Sequence, residues 1–315
     1  MTRESRRPSP ALVISIIALV VGLAGTTYAA SQIAPGAVGT FQLRQGAVTT
    51  SKLRDGSVTP AKIAVRSLRH EYVNPFTRER VVALDGVDLD VAEGEFLAVV
   101  GPSGCGKSTL LSIVAGLTTP TRGQVLLDGR PVRGPGPDRG VVFQEFAILP
   151  WRTVERNIAH GLEIQGVGRD ERAETVRRFV ELVGLVGFEK KFPHELSGGM
   201  KQRVAVARTL AANPEVMLMD EPFASVDAQT RITLGEELNA IAQETKKTIL
   251  FVTHNVEEAV FLGDRCCVLS RHPGRVKAMV PIPIPRSQRT WKLLASEPAF
   301  DATRQHVLKL VRAEV

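Results

Sequence analysis

The chain of 315 residues contains only three cysteines, Cys105, Cys266 and Cys267. Two are adjacent and the third lies in a glycine-rich stretch. That arrangement offers neither a disulfide framework nor metal-ligand spacing, and it suits a reducing compartment. A charge bias is also missing where it would matter. Of 40 Lys and Arg and 33 Asp and Glu, residues 1–66 hold eight of the first and two of the second, which leaves the rest of the chain close to neutral. A near-neutral main body carries no electrostatic footprint for DNA or RNA. There is no set of membrane spans of the kind that builds a pore. One long apolar run stands near the start, and the 43% hydrophobic content is otherwise ordinary for a globular protein with a sizeable core.

That run, Ala11 to Gly25 (ALVISIIALVVGLAG), comes after Arg3, Arg6 and Arg7 and precedes Tyr28-Ala29-Ala30. Basic start, apolar stretch and small residues read as a secretory signal. Extended to Ala30, a helix rising ~1.5 Å per residue would just cross a ~30 Å hydrocarbon core, so residues 1–31 read equally as a membrane anchor. Residues 32–63 repeat a ten-residue unit, in which Val38, Val48 and Val58 align and so do Leu43, Leu53 and Ile63. The repeat reads as a small stacked stalk or as a linker.

From Ala64 the texture changes to short apolar runs alternating with longer amphipathic stretches, the pattern of a sheet covered by helices. Four runs end in chemically useful residues. Leu97–Val100 leads into GPSGCGKST from Gly101, and Val141–Phe143 into Gln144. Val216–Met219 leads into Asp220-Glu221, and Ile249–Val252 into Thr253-His254. Open α/β sheets bind ligands at the carboxyl ends of their strands.

Gly101-x-x-x-x-Gly106-Lys107-Ser108 is the P-loop pattern. Its glycines let backbone N–H groups wrap phosphate, and a helix starting near Lys107 adds its positive end. The loop comprises Gly101, Pro102, Ser103, Gly104, Cys105, Gly106, Lys107, Ser108 and Thr109. Lys107 is expected to reach the β- and γ-phosphates of ATP, and the Ser108 hydroxyl to bind Mg²⁺. Cys105 reads as a tolerated small residue, although a helix N-terminus makes some thiols reactive. Asp220 is expected to hold Mg²⁺, and Glu221 to orient and deprotonate the attacking water. Further on, Ser197 caps a helix start, and Gly198 and Gly199 expose the N–H groups of the first helical turn, which makes a second anion site in the same chain.

Residues 196–203 read LSGGMKQR. With GPSGCGKSTLL, QEFAILPW, DEPFASVDAQTR, VTHNVEEAVFLGDR and RHPGRV, this stretch resembles the ABC ATPases, and among them the branch that imports nitrate, sulfonates, taurine and similar small anions. Met200 stands where the family usually has Gln, Val226 where it usually has Leu, and Asn255 where Asp is frequent. The resemblance implies an α/β P-loop NTPase domain over residues 64–285, a helical arm over about 145–200 and a helical tail over 286–315. It implies a head-to-tail dimer, in which Ser197, Gly198 and Gly199 of one copy close on the γ-phosphate held by the other. It also implies that Gln144 binds Mg²⁺ and senses the membrane partner, that His254 contacts the γ-phosphate, that Asp227 lies in a loop crossing between copies, and that Tyr72 stacks on adenine.

The implied protein hydrolyses ATP on the cytoplasmic face of the membrane. It energises permease subunits on a separate polypeptide and serves a periplasmic or lipid-anchored solute-binding protein indirectly. The alternative, a non-transport ABC ATPase of DNA repair or translation, would carry two cassettes, long coiled-coil insertions or zinc cysteines, and the sequence has none of these. The N-terminus conflicts with this reading, because basic residues before an apolar segment favour sending the downstream chain out of the cytoplasm. The expectation that resolves the conflict is a fusion or misjudged start upstream of an ATPase that is self-sufficient from about Ala64.

Overall fold

A computed structural model describes residues 61–224 and 226–312. The apolar segment and most of the repeat lie outside the described residues. Among the described residues no helix is long and apolar enough to cross a membrane.

The chain enters through two long antiparallel strands, β1 (Ala61–Val73) and β2 (Arg80–Ala92). Their turn is made by Asn74, whose side-chain oxygen accepts from the backbone N–H groups of Phe76 and Thr77 at 2.9 and 3.1 Å, the local bond that favours Asn in turns. With β4 (Arg122–Leu127) and β5 (Arg130–Pro131) they form a four-stranded sheet of order β2-β1-β4-β5. This antiparallel layer departs from the helix-covered sheet expected from Ala64 onward. Its strands alternate buried and exposed positions, as a sheet with one wet face does.

The second sheet has the order β10-β9-β3-β8-β7-β6. It comprises β3 (Phe96–Val100), β6 (Arg139–Val142), β7 (Val216–Asp220), β8 (Thr248–Val252), β9 (Arg265–Leu269) and β10 (Val276–Pro281). All pairings are parallel except that of the edge strand β10. Every residue of β3 and β8 is buried, as central parallel strands require when both faces are covered. Side-chain alternation divides each strand between two cores. Phe96, Ala98, Met217 and Phe251 pack with the helices on one face, and Leu97, Val99, Leu218 and Leu250 with the antiparallel sheet on the other.

Helix α1 (Lys107–Val114) comes directly after the β3 loop and lies between the sheets. The arm holds α2 (Val154–Ile164), capped by the Thr153 hydroxyl, and α3 (Arg169–Leu182), then α4 (Gly198–Ala211). The arm expected from about residue 145 therefore becomes helical only at Val154. Helices α5 (Ala228–Thr245) and α6 (Val256–Leu262) flank β8.

The closing pair, α7 (Trp291–Ser296) and α8 (Pro298–Arg312), is part of the main core. Phe300 and Val307 are buried in it, and Trp291 stacks on Phe261 with ring centroids 4.7 Å apart. Arg289 is buried and donates to the carbonyls of Ile284, Val260, Phe261 and Gly263, which ends α6. Burial pulls its guanidinium down to about 10.

The start of the domain needs correction by three residues. β1 begins at Ala61, and Ile63 is fully buried opposite Val91 and Leu127. Lys62 bridges Asp128 and Glu215 at 2.6 and 2.5 Å. The repeat hid this, because Ile63 aligns with Leu43 and Leu53 while its side chain serves the fold. Ile63→Ala is expected to cost about 2–5 kcal/mol, the range for a core truncation. A chain begun at Ala64 should melt well below one begun at Thr59. Urea unfolding of the two shortened chains and the point variant checks this; equal midpoints would return the boundary to Ala64.

Candidate functional site

The parallel register brings the ends of β3, β7 and β8 level. Met219 pairs with Phe251 and Asp220 with Val252, and Val99 pairs with Val252. The ladder continues one step further, since the Glu221 N–H donates to Val252 O at 2.9 Å and the Thr253 N–H to Val99 O at 3.1 Å. β6 pairs with β7 so that Val142 faces Met219. Gln144, two residues on and exposed, therefore stands past the carboxyl end of β6, level with Glu221 in the register.

The loop between β3 and α1 is shaped by glycines. Gly104 and Gly106 have φ of +76° and +96°, a region that L side chains seldom adopt. A Cβ on Gly106 would meet Leu84 Cδ2 at 2.7 Å and Ala83 O at 2.8 Å. The loop thus turns with its backbone exposed and rests on β2. Lys107 is 5% exposed, and its Nζ donates to the Gly101 and Pro102 carbonyls at 3.0 and 3.2 Å. These bonds hold the ammonium under the loop.

Two acids face this loop. Asp220 Oδ1 accepts from the Ser108 hydroxyl at 3.0 Å. Burial pushes the Asp220 carboxyl above its ordinary range, against the pull of the Ser108 bond, and neighbouring Glu221 adds to the rise. Glu221 lies between two nitrogens, 2.8 Å from His254 Nδ1 and 3.9 Å from Lys107 Nζ. Its backbone has φ +44°, a conformation that costs a non-glycine residue about 1–3 kcal/mol and is typical of functional turns.

A cleft of 330 Å³ opens over the loop, lined among others by Tyr72, Val81, Ser103, Gly104, Thr109 and Glu221. Tyr72 is half exposed, its hydroxyl 3.1 Å from Thr109 Oγ1 and its ring edge-on to His70. It is a wall of the cleft and not a core residue.

Ser197, Gly198 and Gly199 stand apart, since none of them lines this cleft. Ser197 Oγ accepts from the Met200 N–H at the start of α4. Gly199 permits a close approach, because a Cβ there would meet Thr230 Cγ2 at 2.6 Å. Thr230 in turn donates its N–H and hydroxyl to Asp227 at 3.0 and 2.7 Å. Those bonds hold the Asp227 carboxyl below its ordinary range and make it the cap of α5. The loop before α5 and the LSGGM stretch are therefore one packed unit. Asn255 caps α6 by accepting from the Glu257 and Glu258 N–H groups, so the departure from Asp there keeps the same geometry.

Residues 84–224 match the ABC transporter family. A 240-residue stretch is 53% identical to an uncharacterized ABC transporter ATP-binding protein of Methanocaldococcus jannaschii, covering 76% of this chain and 88% of that one. The chain belongs to the ABC transporter ATP-binding proteins. This ABC ATPase is also 46% identical over 240 residues to a nitrate import ATP-binding protein of Synechocystis sp., covering 75% of this chain and 90% of the relative. Identity to a taurine import ATP-binding protein of Escherichia coli is 44% over 232 residues, covering 73% and 91%. A dimeric ATP-binding cassette solved in a post-hydrolysis state with ADP and Pi superposes with a TM-score of 0.63 at 31% identity, covering 71% of this chain and all of that one. The chain is thus an ATP hydrolase of the transporter class with the P-loop α/β fold, and none of these relatives is a repair or translation protein.

Two groups that hold the segment after Gln144 escaped the motif reading. Asn157 is fully buried and ties the Leu149 N–H and the Leu149, Arg152 and Thr153 carbonyls. Arg208 on α4 donates to the carbonyls of Ala147 and Phe146, at 2.7 and 3.4 Å. Phe146 and Ala147 are both left-handed, with φ of +60° and +47°. The available signal was a polar residue on an otherwise apolar helix face.

Cys105 packs as the small residue its position in the loop suggested. It is 1% exposed and packs under Gly101, and burial raises its thiol above the ordinary range despite Lys107. A raised pKa means less thiolate at any pH below it, so the helix-terminal position does not activate this sulfur. Iodoacetamide at pH 8 is expected to leave Cys105 unmodified in the folded ABC ATPase and to alkylate it in urea. Rapid labelling of the native protein, read by peptide mass, would contradict the burial argument.

Proposed function

We propose that this ABC ATPase drives import of a small anion of the nitrate, sulfonate and taurine class, and that ATP is hydrolysed at sites shared by two copies packed head to tail. The observation that carries the composite site is the separation within one chain of two anion-receptive helix starts, at Lys107 and at Gly198. A single chain has no evident way to bring both to one phosphate group, whereas a second copy inverted over the first does.

In this reading the backbone of Gly101–Thr109 wraps the phosphates, Lys107 reaches them, and Tyr72 stacks on the base. Ser108, Asp220 and Gln144 suit a hard divalent cation. Serine and carboxylate oxygens 3.0 Å apart offer a small donor set, and a buried acid beside a second acid favours a cation nearby. Mg²⁺ is commonly held by one or two carboxylates together with substrate phosphates, and when bound it would neutralise charge on the phosphate oxygens. Glu221 accepts the proton of the attacking water. His254, whose Nδ1 lies 2.8 Å from Glu221, contacts the γ-phosphate. Ser197, Gly198 and Gly199 of the partner close the site, and Asp227 crosses beside them.

The permease partner fits the arm. A groove of about 970 Å³ runs between α2 and α3, with Trp151 and Val186 exposed beside Arg156 and Arg169. In this reading the ATPase sits peripherally on the cytoplasmic face of the membrane, and a solute-binding protein acts through the permease.

Lys107→Ala and Ser197→Arg each remove every intact site from a homodimer. In a mixed dimer both lesions fall in one site, which leaves the other whole. Mixing the two inactive proteins is expected to restore a substantial part of the ATPase activity. Absence of rescue, with mixed dimers shown by two affinity tags, would overturn the head-to-tail arrangement.

A further inference from the structure

Between His254 and Asp227 lies a buried polar link that the reaction as described does not use. Glu258 on α6 is 4% exposed and Thr253 1% exposed. The Thr253 hydroxyl donates to Glu258 Oε2 and accepts from the Asn255 N–H at 3.0 Å. These two bonds fix the turn that carries His254. The other oxygen, Glu258 Oε1, lies 3.4 Å from Arg231 Nε on α5. Arg231 Nη2 donates to the carbonyls of Phe223 and Val226, at 3.4 and 3.2 Å. Those carbonyls sit on the loop between Glu221 and Asp227. One carboxylate and one guanidinium thereby join the turn behind His254 to the loop ahead of Asp227.

The link has a second arm. The Arg231 N–H donates to Asp227 O at 2.9 Å. Thr230, next to Arg231, binds the Asp227 side chain and is the residue against which Gly199 packs. The His254 turn is thereby connected through Glu258 and Arg231 to the first turn of α5, which packs on the start of α4. Neither Glu258 nor Arg231 lines the nucleotide cleft.

We propose that Glu258 and Arg231 are positioning residues that couple the two ATP sites of the dimer, by tying His254 of one site to the Gly199 region that serves the other. The inference rests on the head-to-tail reading, in which the P-loop, Glu221 and His254 of a chain act at one site while its Ser197–Gly199 act at the second. An ion pair between a buried carboxylate and a partly exposed guanidinium suits this role. It holds two segments in one discrete geometry, and coupling between sites needs an element with defined arrangements that both sites bias.

The test is steady-state ATPase of the full-length protein against ATP concentration. The unmutated chain is expected to show a Hill coefficient clearly above one, bounded by about two for two sites. Glu258→Gln keeps an acceptor for Thr253 and removes the charge. It is expected to lower the Hill coefficient to about one, with affinity for a fluorescent ATP analogue changed less than about twofold. Arg231→Met, at a partly exposed position that tolerates substitution, should do the same, and Arg231→Lys, which keeps the charge but not the fork, should fall between.

Retention of the original Hill coefficient by folded Glu258→Gln and Arg231→Met proteins would overturn the proposal. So would a parallel loss of analogue affinity and melting temperature, which marks a purely structural pair. A Hill coefficient of about one in the unmutated chain, with Lys107→Ala and Ser197→Arg rescuing each other, would sink the coupling and leave the composite site standing. Failure of that rescue would remove the reading beneath it.

Discussion

The parallel register of β3, β8 and β7 is the constraint on which the site depends. It sets three strand ends at one level, and the chemistry occupies the next residue or two of each: the P-loop after β3, Asp220-Glu221 at the end of β7, Thr253-His254 after β8. The ladder runs one bond past β7, through the Glu221 N–H to Val252 O. That bond holds Glu221 in a left-handed conformation that an isolated turn would not sustain. The carboxylate consequently meets His254 on one side and Lys107 on the other. The two hydrophobic layers keep the strands in this register, and a slip by one residue would exchange the faces of every strand.

The LSGGM stretch is organised by capping and close packing. Ser197 and Asp227 each cap a helix through a side-chain oxygen, and the absent Cβ of Gly199 lets α5 approach α4. The glycine therefore has a packing role within its own chain beside the phosphate role proposed for it. The loop after Gln144 is held by Asn157 and Arg208, so α2, this loop and α4 share hydrogen bonds. Each of these devices acts at a helix end or loop, where motion between open and closed sites would have to occur.

Much of this was legible in the sequence because the chemistry sits at strand ends. Short apolar runs ending at Gly101, Gln144, Asp220 and Thr253 marked four strands of the parallel sheet. Two kinds of feature were not legible. The antiparallel sheet was missed because β1 and β2 do not end, as the other strands do, in a short apolar run followed by a chemically useful residue, and because Ile63 doubles as a repeat position. The buried polar link was invisible because Glu258 and Arg231 look like surface charges on amphipathic helices. Only the packing of α5 against α6 brings them 3.4 Å apart. Cys105 was legible as a small packing residue, and its burial under Gly101 removes the reactivity a helix N-terminus can confer.

The proposed role of Glu221, set between His254 and Lys107, is activation of the attacking water. The direct measurement is single-turnover hydrolysis and dimer formation by Glu221→Gln, which keeps the size of the side chain and the contact with His254 but cannot take a proton. The account predicts ATP binding as in the unmutated chain, hydrolysis slower by ~10² or more, the scale of a positioned general base, and accumulation of an ATP-bound dimer in sedimentation. Turnover near that of the unmutated chain, with no trapped dimer, would contradict it.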